Sequence, residues 1–289
     1  MSRFAVLGDP IGHSKSPAMH QAAYRALGMA HTYDAILARK EDLPALVGRL
    51  REGEFAGFNV TVPHKRTILS LVDVNDESVE LVGAANTLFR RADGKIVAAN
   101  TDVAAIAEEV RRLVPERPSL DGARVLVVGT GGAALSAVAA CFVHLAVAEI
   151  EVRARAFDTA KAESVRAPFD QIAERAGKSA ITYSALAKGR DEGIDIVIQA
   201  TSAGMTGADS GEEVAKAIAW ERLAPRAVAY DVVYSPPETP FLRAASNHGL
   251  RNANGLGMLA RQGALAFEMW LGVPAPYNAM LTALHSPRG

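Results

Sequence analysis

Several features are scarce in this chain of 289 residues, and each scarcity narrows the possible functions. There is one cysteine, Cys141, so no disulfide can form within the chain, which is typical of a reducing compartment. The 31 Lys and Arg residues nearly balance the 32 Asp and Glu residues, and the net charge is −1. This balance argues against a nucleic-acid partner and against an acidic tail.

Long apolar runs and metal-ligand patterns are also missing. The longest apolar stretch, residues 133–148, is interrupted by Ser136 and His144 and is too short to cross a bilayer. The seven His residues show no metal-ligand spacing with Cys, Asp or Glu, so we expect no metal site. Residues 1–8 resemble a short strand rather than a signal peptide, and we therefore expect a cytoplasmic protein without a membrane partner.

The order of strand and helix patterns predicts an α/β protein with two domains. A chain of 289 residues is longer than a single hydrophobic core usually supports. Strand and helix patterns alternate over residues 1–102, which predicts a mostly parallel α/β domain. Two prolines within residues 115–119 indicate a linker, and a second α/β domain is predicted over residues 119–237.

One predicted strand is followed at once by a sharp turn and a lysine. Apolar residues alternate with Asn59 and Thr61, which predicts a half-buried strand with both polar side chains on one face. Pro63 should end this strand, and a helix is predicted to begin over residues 64–69 with Lys65 in its first turn. Taken alone, the pattern is equally typical of an ordinary strand-turn-helix and of a functional site.

The loop after the first strand carries two hydroxyls and a lysine. Ser14, Lys15 and Ser16 precede a predicted helix over residues 17–27, so they offer hydrogen-bond donors and a positive helix end to an anion. The alternative is that Ser16 caps the helix, with Pro17 at its first position. That alternative leaves Ser14 unexplained.

Asp102 is open to two interpretations. It lies after a predicted strand over residues 95–99 and before a predicted helix over residues 103–112. An Asp in this place usually caps the helix that follows. Charged side chains at strand ends also build ligand clefts in α/β sheets, so a functional role is the second interpretation.

A glycine-rich turn indicates a dinucleotide. The apolar strand predicted over residues 124–128 leads into Gly129, Gly131 and Ala134, which match the G-x-G-x-x-G/A pattern between a strand and a helix. The glycines allow a tight turn and a close approach of the pyrophosphate to the helix end. We therefore predict a dinucleotide-binding domain.

The next strand indicates which dinucleotide is bound. An acidic residue at its end would bind the 2′-hydroxyl of NAD, whereas an arginine would accommodate the 2′-phosphate of NADP. The strand predicted over residues 149–153 ends in Arg153 and continues to Arg155, with no acid between them. NADP is therefore favoured. The alternatives are that an arginine is only a solvated strand end and that Asp158 binds an NAD ribose.

Together, the motifs resemble those of the shikimate dehydrogenase family. The matching stretches occur in family order over nearly the whole chain and are Ser14–Pro17, Asn59–Lys65, Gly83–Thr87, Asn100–Asp102, Gly129–Ala133, Tyr230–Tyr234, and Gly257–Leu259 with Gln262. The resemblance implies a substrate-binding α/β domain and a Rossmann domain that binds NADP. It also implies that the C-terminal helices, from about 238–289, pack back on the first domain. The implied reaction is the reversible NADPH-dependent reduction of 3-dehydroshikimate to shikimate.

The resemblance also implies roles for individual residues. Lys65 and Asp102 are the implied catalytic pair. The residues implied to contact a small carboxylated ring substrate are Ser14, Ser16, Asn59, Thr61, Asn86, Tyr234 and Gln262. The residues expected at the cofactor, from the glycine turn, the strand end and the resemblance together, are Gly129, Gly131, Gly132, Ala133, Arg153, Arg155, Thr201 and Gly257.

Two motifs depart from the family pattern, and two other functions remain as alternatives. The usual Asn-Arg-Thr after the second strand is Ala154-Arg155-Ala156 here, and Gln199 replaces the usual Asn before Thr201. The alternatives are an NAD-dependent quinate/shikimate dehydrogenase and a non-catalytic NADP-binding regulator with the same fold. Retention of Lys65 and Asp102 argues against the regulator. A monomer and a homodimer are both compatible with the sequence.

Overall fold

The chain forms two compact units in the structure, a computed structural model. The residues that the structure describes are 1–117, 119–178 and 181–285. The first unit contains residues 1–101 together with the chain from Leu259 onwards, and the second contains residues 102–258. Each unit has its own six-stranded sheet, which confirms the predicted α/β class with two domains.

The helices and strands have the following bounds in chain order. Up to residue 101 they are β1 (Arg3–Gly8), α1 (Ser16–Ala26), β2 (Thr32–Leu37), α2 (Leu43–Arg51), β3 (Gly57–Val60), β4 (Val74–Asn75), α3 (Glu77–Val82), β5 (Thr87–Arg90) and β6 (Ile96–Ala99). The second unit then contributes α4 (Asp102–Leu113), β7 (Arg124–Val128), α5 (Gly132–Val143), β8 (Glu149–Arg153), α6 (Ala162–Arg175), β9 (Ile181–Ser184), β10 (Ile196–Gln199), α7 (Glu212–Lys216), β11 (Val228–Asp231), α8 (Pro240–Asn247) and β12 (Arg251–Ala253). The last two helices are α9 (Leu256–Leu271) and α10 (Tyr277–His285).

The sheet of the first unit is mixed. Its strand order is β2-β1-β3-β5-β6-β4, with β1 parallel to both of its neighbours. β5 is antiparallel to β3 and to β6, so the prediction of a mostly parallel layer is only partly correct. The chain between β5 and β6 turns tightly at Gly94, whose N–H donates to the carbonyl of Arg91. Such a short connection can join only antiparallel strands, because a parallel pair needs a long crossover.

The sheet of the second unit is entirely parallel. Its order is β12-β11-β10-β7-β8-β9, and every neighbouring pair runs in the same direction. This is the doubly wound arrangement, in which the chain changes direction between β7 and β10. Ligands of such sheets bind beyond the carboxyl ends of the strands at this switch point. Within β7, residues 125–128 are buried, as expected for a central strand covered on both faces.

The boundaries between the units differ from the predicted ones. Residues 115–117 and 119 lie within the second unit rather than between the units, since the preceding helix α4 packs against α5. Pro118 of that segment lies outside the described residues. The return to the first unit begins at Leu259 rather than at about 238, because β12 pairs with β11 and completes the second sheet.

The long apolar stretch of the sequence is a packed helix. Residues 134–142 of α5 are all buried within the second unit. Cys141 lies among them, and burial raises the pKa of its thiol to about 12. A thiol held in this protonated form is a packing group rather than a nucleophile. Within the described ranges, no helix has the length and apolarity needed to cross a membrane.

Candidate active site

The turn that precedes Lys65 is anchored by a buried histidine. β3 ends at Val60, so Thr61 lies just beyond the strand, and its carbonyl accepts a hydrogen bond from the N–H of His64 at 2.9 Å. The His64 ring is buried, and its Nε2 donates to the carbonyl oxygen of Ala38 at 2.6 Å. This hydrogen bond from the buried imidazole therefore holds the turn against the core of the first unit.

Lys65 projects from backbone that is fixed on both sides. Its carbonyl accepts the N–H of Ala85 at 2.8 Å, rather than the N–H of Leu69 that a regular helix would supply. The helix predicted over residues 64–69 is therefore wrong, and a turn is followed by a short 3-10 helix over Thr67–Leu71. The Lys65 side chain is half-buried. A fixed backbone and partial burial suit a group that must act at one position.

A buried hydrogen-bond network connects amide side chains of the first unit. Asn59 is buried, and its Nδ2 donates to the carbonyl of Asn86 at 3.1 Å and to Oγ1 of Thr87 at 3.2 Å. Its Oδ1 accepts the hydroxyl of Tyr33 at 2.7 Å. Sequence reasoning missed Tyr33, although a tyrosine on a buried strand needs a partner for its hydroxyl.

The network continues through Asn86 to the C-terminal segment. Nδ2 of Asn86 donates to Oγ1 of Thr101 at 2.9 Å and to Oε1 of Gln262 at 3.3 Å. Oδ1 of Asn86 accepts the N–H of Thr101 at 2.9 Å and the hydroxyl of Thr87 at 3.0 Å. Three predicted site residues that are distant in sequence are thus joined, namely Asn59, Asn86 and Gln262.

The serine loop is arranged differently from either interpretation of its sequence. α1 begins at Ser16 itself, and the Oγ of Ser14 accepts the N–H of Ser16 at 3.2 Å. Ser14 therefore satisfies the N–H of the first helical residue, while the N-cap position is taken by Lys15 without a side-chain cap. Lys15 donates from Nζ to the carbonyl of Leu284 at 2.9 Å, near the end of α10. The loop thus leaves two hydroxyls, rather than two hydroxyls and a lysine, as its candidate anion donors.

The glycine turn lies at the switch point of the second sheet. A Cβ on Gly129, whose φ is +127°, would lie 2.8 Å from the carbonyl oxygen of Ala200 and 2.9 Å from Cγ2 of Thr201. The loops after β7 and β10 therefore contact each other, and only glycine permits this approach. A Cβ on Gly131 would meet nothing within 4 Å, so the N-terminus of α5 is open. The first two residues of α5 are Gly132 and Ala133. This arrangement suits the pyrophosphate of a dinucleotide.

Gln199 organises the loop that follows β10. Its Oε1 accepts the hydroxyl of Thr201 at 2.7 Å, and its Nε2 donates to Oδ1 of Asp231 at 3.1 Å. Asp231 also accepts the hydroxyl of Thr239 at 2.5 Å and the N–H of Val233 at 2.9 Å. Burial raises the pKa of Asp231 to about 7, while these hydrogen bonds act in the opposite direction. The longer Gln side chain thus links β10 to β11 and holds the Thr201 loop.

Arg153 is not available to a cofactor, contrary to the prediction. Its side chain is completely buried, with Nη1 donating to Oδ1 of Asp191 at 2.8 Å and Nε donating to Oε1 of Glu151 at 3.0 Å. The guanidinium also lies where a Cβ on Gly189 would be, so the loop covers it closely. Because two carboxylates already neutralise this buried charge, Arg153 is a structural ion-pair residue of the second unit.

Arg155 is the arginine of this segment that remains exposed. Its side chain is 65% exposed, and Nη1 lies 3.3 Å from Oε2 of Glu213 and 3.5 Å from Oδ2 of Asp209. Asp158, the alternative partner for an NAD ribose, accepts Nζ of Lys188 at 3.0 Å. The exposed guanidinium of Arg155 is therefore compatible with a 2′-phosphate site. The carboxylates of Glu213 and Asp209 would compete with the phosphate for this guanidinium.

The other predicted site residues of the second unit have distinct local roles. Asp102 is the first residue of α4 and is buried. Tyr234 is half-buried beyond the end of β11. Gly257 lies in the first turn of α9, where a Cβ would be 2.0 Å from Oε2 of Glu109. Packing against Glu109 therefore explains the glycine at position 257 without a cofactor.

Family models match both ends of the chain. The model described as the shikimate dehydrogenase substrate binding domain matches residues 6–88. A second model, the shikimate 5'-dehydrogenase C-terminal domain, matches residues 255–285. The matched regions contain Lys65, Asn86 and Gln262. The amide network thus combines residues from both matched regions.

Individual relatives match almost the full length. A shikimate dehydrogenase (NADP(+)) of Citrifermentans bemidjiense is 38% identical over 286 residues, which cover 96% of this chain and 93% of the relative. The shikimate 5-dehydrogenase of Thermus thermophilus, solved with NADP(H) and shikimate, has a TM-score of 0.80 at 32% identity and covers 98% of both chains. The ligand-free 5-ketofructose reductase of Gluconobacter sp. strain CHM43 has a TM-score of 0.79 at 30% identity, covering 98% of this chain and 97% of that one.

Proposed function

Because the chain belongs to the shikimate dehydrogenase family, we propose that it catalyses the reversible NADPH-dependent reduction of 3-dehydroshikimate to shikimate. The observation that carries this proposal is the buried network in which Asn86 contacts Gln262 at 3.3 Å. Amide side chains fixed in this way suit a ring that carries several hydroxyls, since each amide can donate and accept. The reaction is a step of aromatic amino acid biosynthesis, and we infer a cytoplasmic location, which the single cysteine supports.

The carboxylate of the substrate and its ring hydroxyls would be bound by two different sets of side chains. The hydroxyls of Ser14 and Ser16 would donate to the ring carboxylate, and the half-exposed Ser14 and buried Ser16 support this assignment. The residues assigned to the ring hydroxyls are Thr61, Asn86, Asp102 and Gln262. Asn59 of the first unit and Tyr234 of the second are also assigned to the substrate. A small carboxylated polyol is the substrate class that matches this set of donors.

NADP would be held by the second unit. The open N-terminus of α5, from Gly129 to Ala133, would bind the pyrophosphate, and Arg155 would bind the 2′-phosphate. The loop containing Thr201 would lie on the nicotinamide side. When bound, this cofactor supplies the hydride for the ring ketone. Arg153 has no part in this assignment, since its charge is neutralised within the unit.

Lys65 and Asp102 would form the catalytic pair. As the C3 carbonyl is reduced, negative charge develops on its oxygen, and the Lys65 ammonium would stabilise that charge and give it a proton. In the reverse direction the Lys65 amine would accept the proton from the C3 hydroxyl. Lysine suits both directions because its pKa responds strongly to desolvation. Asp102, which is buried at the start of α4, is assigned as the second member of the pair.

A steady-state assay at pH near 8 tests the proposal. Shikimate and quinate are each offered with NADP⁺ and with NAD⁺, and the expected result is that shikimate with NADP⁺ gives the highest kcat/KM. Activity restricted to quinate and NAD⁺ would instead assign the NAD-dependent quinate/shikimate dehydrogenase. No turnover with any pair, together with tight NADP⁺ binding, would assign a non-catalytic regulator.

The similarity to the 5-ketofructose reductase supports a second candidate substrate. 5-Ketofructose is a neutral ketose, so it would leave the hydroxyls of Ser14 and Ser16 without a carboxylate. An unpaired polar group in a binding site lowers the affinity for an analogue that lacks its partner. We therefore expect NADPH oxidation with 3-dehydroshikimate and none with 5-ketofructose. NADPH oxidation with 5-ketofructose and none with 3-dehydroshikimate would instead assign ketose reduction as the function.

Replacing Arg155 with Ala should weaken the binding of NADPH about tenfold and leave NADH binding unchanged, because only the 2′-phosphate needs a cation. Fluorescence titration of the nicotinamide gives the dissociation constants of NADPH and of NADH. Arg222→Ala is a matched control: its side chain is 60% exposed and also lies 3.5 Å from a glutamate, but near the amino end of β10. Equal effects of Arg155→Ala on NADPH and NADH would exclude Arg155 from the 2′-phosphate site.

A further inference from the structure

Tyr33 occupies a central place in the amide network, although the proposed function assigns it no role. It lies on β2 and is completely buried, and its hydroxyl donates to Oδ1 of Asn59 at 2.7 Å. Resting on the proposed function, we propose that Tyr33 is a positioning residue that fixes the substrate-binding amides of Asn86 and Gln262 through Asn59. It would not itself contact the substrate.

The hydroxyl of Tyr33 determines which way the Asn59 amide points. An asparagine side chain has an accepting end and a donating end of nearly the same shape, so its orientation depends on its neighbours. Tyr33 offers a donor, so the oxygen of Asn59 must face it. Both N–H groups of Asn59 are then directed to Asn86 and Thr87. With its two donors used in this way, Asn59 transmits the position of Tyr33 to Asn86 and Thr87.

The same orientation extends to the groups assigned to the substrate. Thr87 Oγ1 accepts from Asn59 at 3.2 Å and donates its own proton to Oδ1 of Asn86 at 3.0 Å. That contact identifies the accepting end of the Asn86 amide, so its donating end faces Gln262 at 3.3 Å. Removing the Tyr33 hydroxyl would let the Asn59 amide turn over. The donors of Thr87 and Asn86 would then have no defined acceptor.

Tyr33 also contacts the serine loop. Burial and the nearby Tyr24 raise the pKa of the Tyr33 hydroxyl well above its usual range, and an interaction with the Ser16 side chain acts in the opposite direction. Tyr33 is thus placed between a residue assigned to the carboxylate and the residues assigned to the hydroxyls, so it can fix their spacing.

Aromatic packing holds Tyr33 in place. The His20 ring stacks on the Tyr33 ring with centroids 4.1 Å apart and an interplanar angle of 6°. His20 is completely buried, and burial lowers its pKa to about 3, so the ring is neutral at physiological pH. Removing the hydroxyl of Tyr33 alone would leave this stack intact, so Tyr33→Phe isolates the hydrogen bond from the packing.

The test compares Tyr33→Phe with Tyr24→Phe. Tyr24 is 2% exposed and belongs to the same aromatic cluster, with its ring 6.3 Å from that of His20. Its hydroxyl has no hydrogen-bond partner among the described residues, so it is a matched control. We expect Tyr33→Phe to raise the KM for shikimate about tenfold, with kcat and the Kd for NADP⁺ changed less than about twofold. Tyr24→Phe should leave all three values unchanged.

A second comparison tests the route through Asn59. In an Asn59→Ala background, Tyr33→Phe should cause no further rise in KM, because its partner is already missing. A full further rise would overturn this route, as would equal KM values for Tyr33→Phe and Tyr24→Phe. A lowered melting temperature of Tyr33→Phe with an unchanged KM would also overturn it. If the unmodified protein itself fails to turn over shikimate, the proposed function is overturned rather than the inference alone.

Discussion

Replacing Lys65 with Ala is expected to reduce kcat for shikimate oxidation at least about a hundredfold, which corresponds to about 2.7 kcal/mol of lost transition-state stabilisation. The variant removes both the proton carrier and the cation assigned to the C3 oxygen. The Kd for NADP⁺ should remain unchanged, since the glycine turn and Arg155 belong to the second unit, whereas Lys65 belongs to the first. Steady-state kinetics and fluorescence titration of the cofactor measure the two quantities.

Two further variants separate the roles of the Lys65 side chain. Lys65→Arg keeps the positive charge, but a guanidinium does not release its proton near neutral pH, so this variant should remain strongly impaired. Lys40→Ala removes an exposed lysine of the same unit and should retain normal turnover. Near-normal turnover of Lys65→Ala would remove Lys65 from the mechanism. Full recovery in Lys65→Arg would leave it an electrostatic role without proton transfer.

The parallel sheet of the second unit was predictable because its strands are defined locally. β7 and β8 have the predicted bounds, and for β7 the reason is that a buried parallel strand is a short apolar run. The glycine turn was predictable for the same reason, because a tight turn between strand and helix requires glycines at fixed positions. Family resemblance rather than periodicity indicated Asn86 and Gln262, whose contact joins positions separated by 176 residues.

Several features depend on partners that are distant in sequence, and the local pattern could not predict them. Arg153 has the position of a cofactor-binding arginine, but Asp191, 38 residues later, neutralises it inside the unit. His64 appeared to be part of a basic helical turn, but the carbonyl of Ala38 holds its ring in the core. Tyr33 has no local sequence signal for its role, because Asn59, which accepts its hydroxyl, lies 26 residues later.

The packing behind this network can be tested at Gly57, the first residue of β3. A Cβ on Gly57 would lie 2.3 Å from Nε1 of Trp270 and 2.6 Å from its Cδ1. The Trp270 ring stacks on Phe4 with centroids 4.8 Å apart and donates from Nε1 to the carbonyl of Leu88 at 3.1 Å. Gly57→Ala should therefore displace the indole and lose this hydrogen bond, at a cost of about 3 kcal/mol. Thermal unfolding followed by circular dichroism should show a melting temperature lower by on the order of 10 °C.

Gly48→Ala is the control for this prediction, since it makes the same chemical change in the same unit. Gly48 lies within α2, and a Cβ there would meet nothing within 4 Å, so Ala should stabilise the helix by up to about 1 kcal/mol. Gly57→Ala combined with Trp270→Phe should be more stable than the sum of the two single changes predicts, because the smaller ring relieves the overlap. Additive effects would show that the clash with Trp270 is not what requires glycine at position 57.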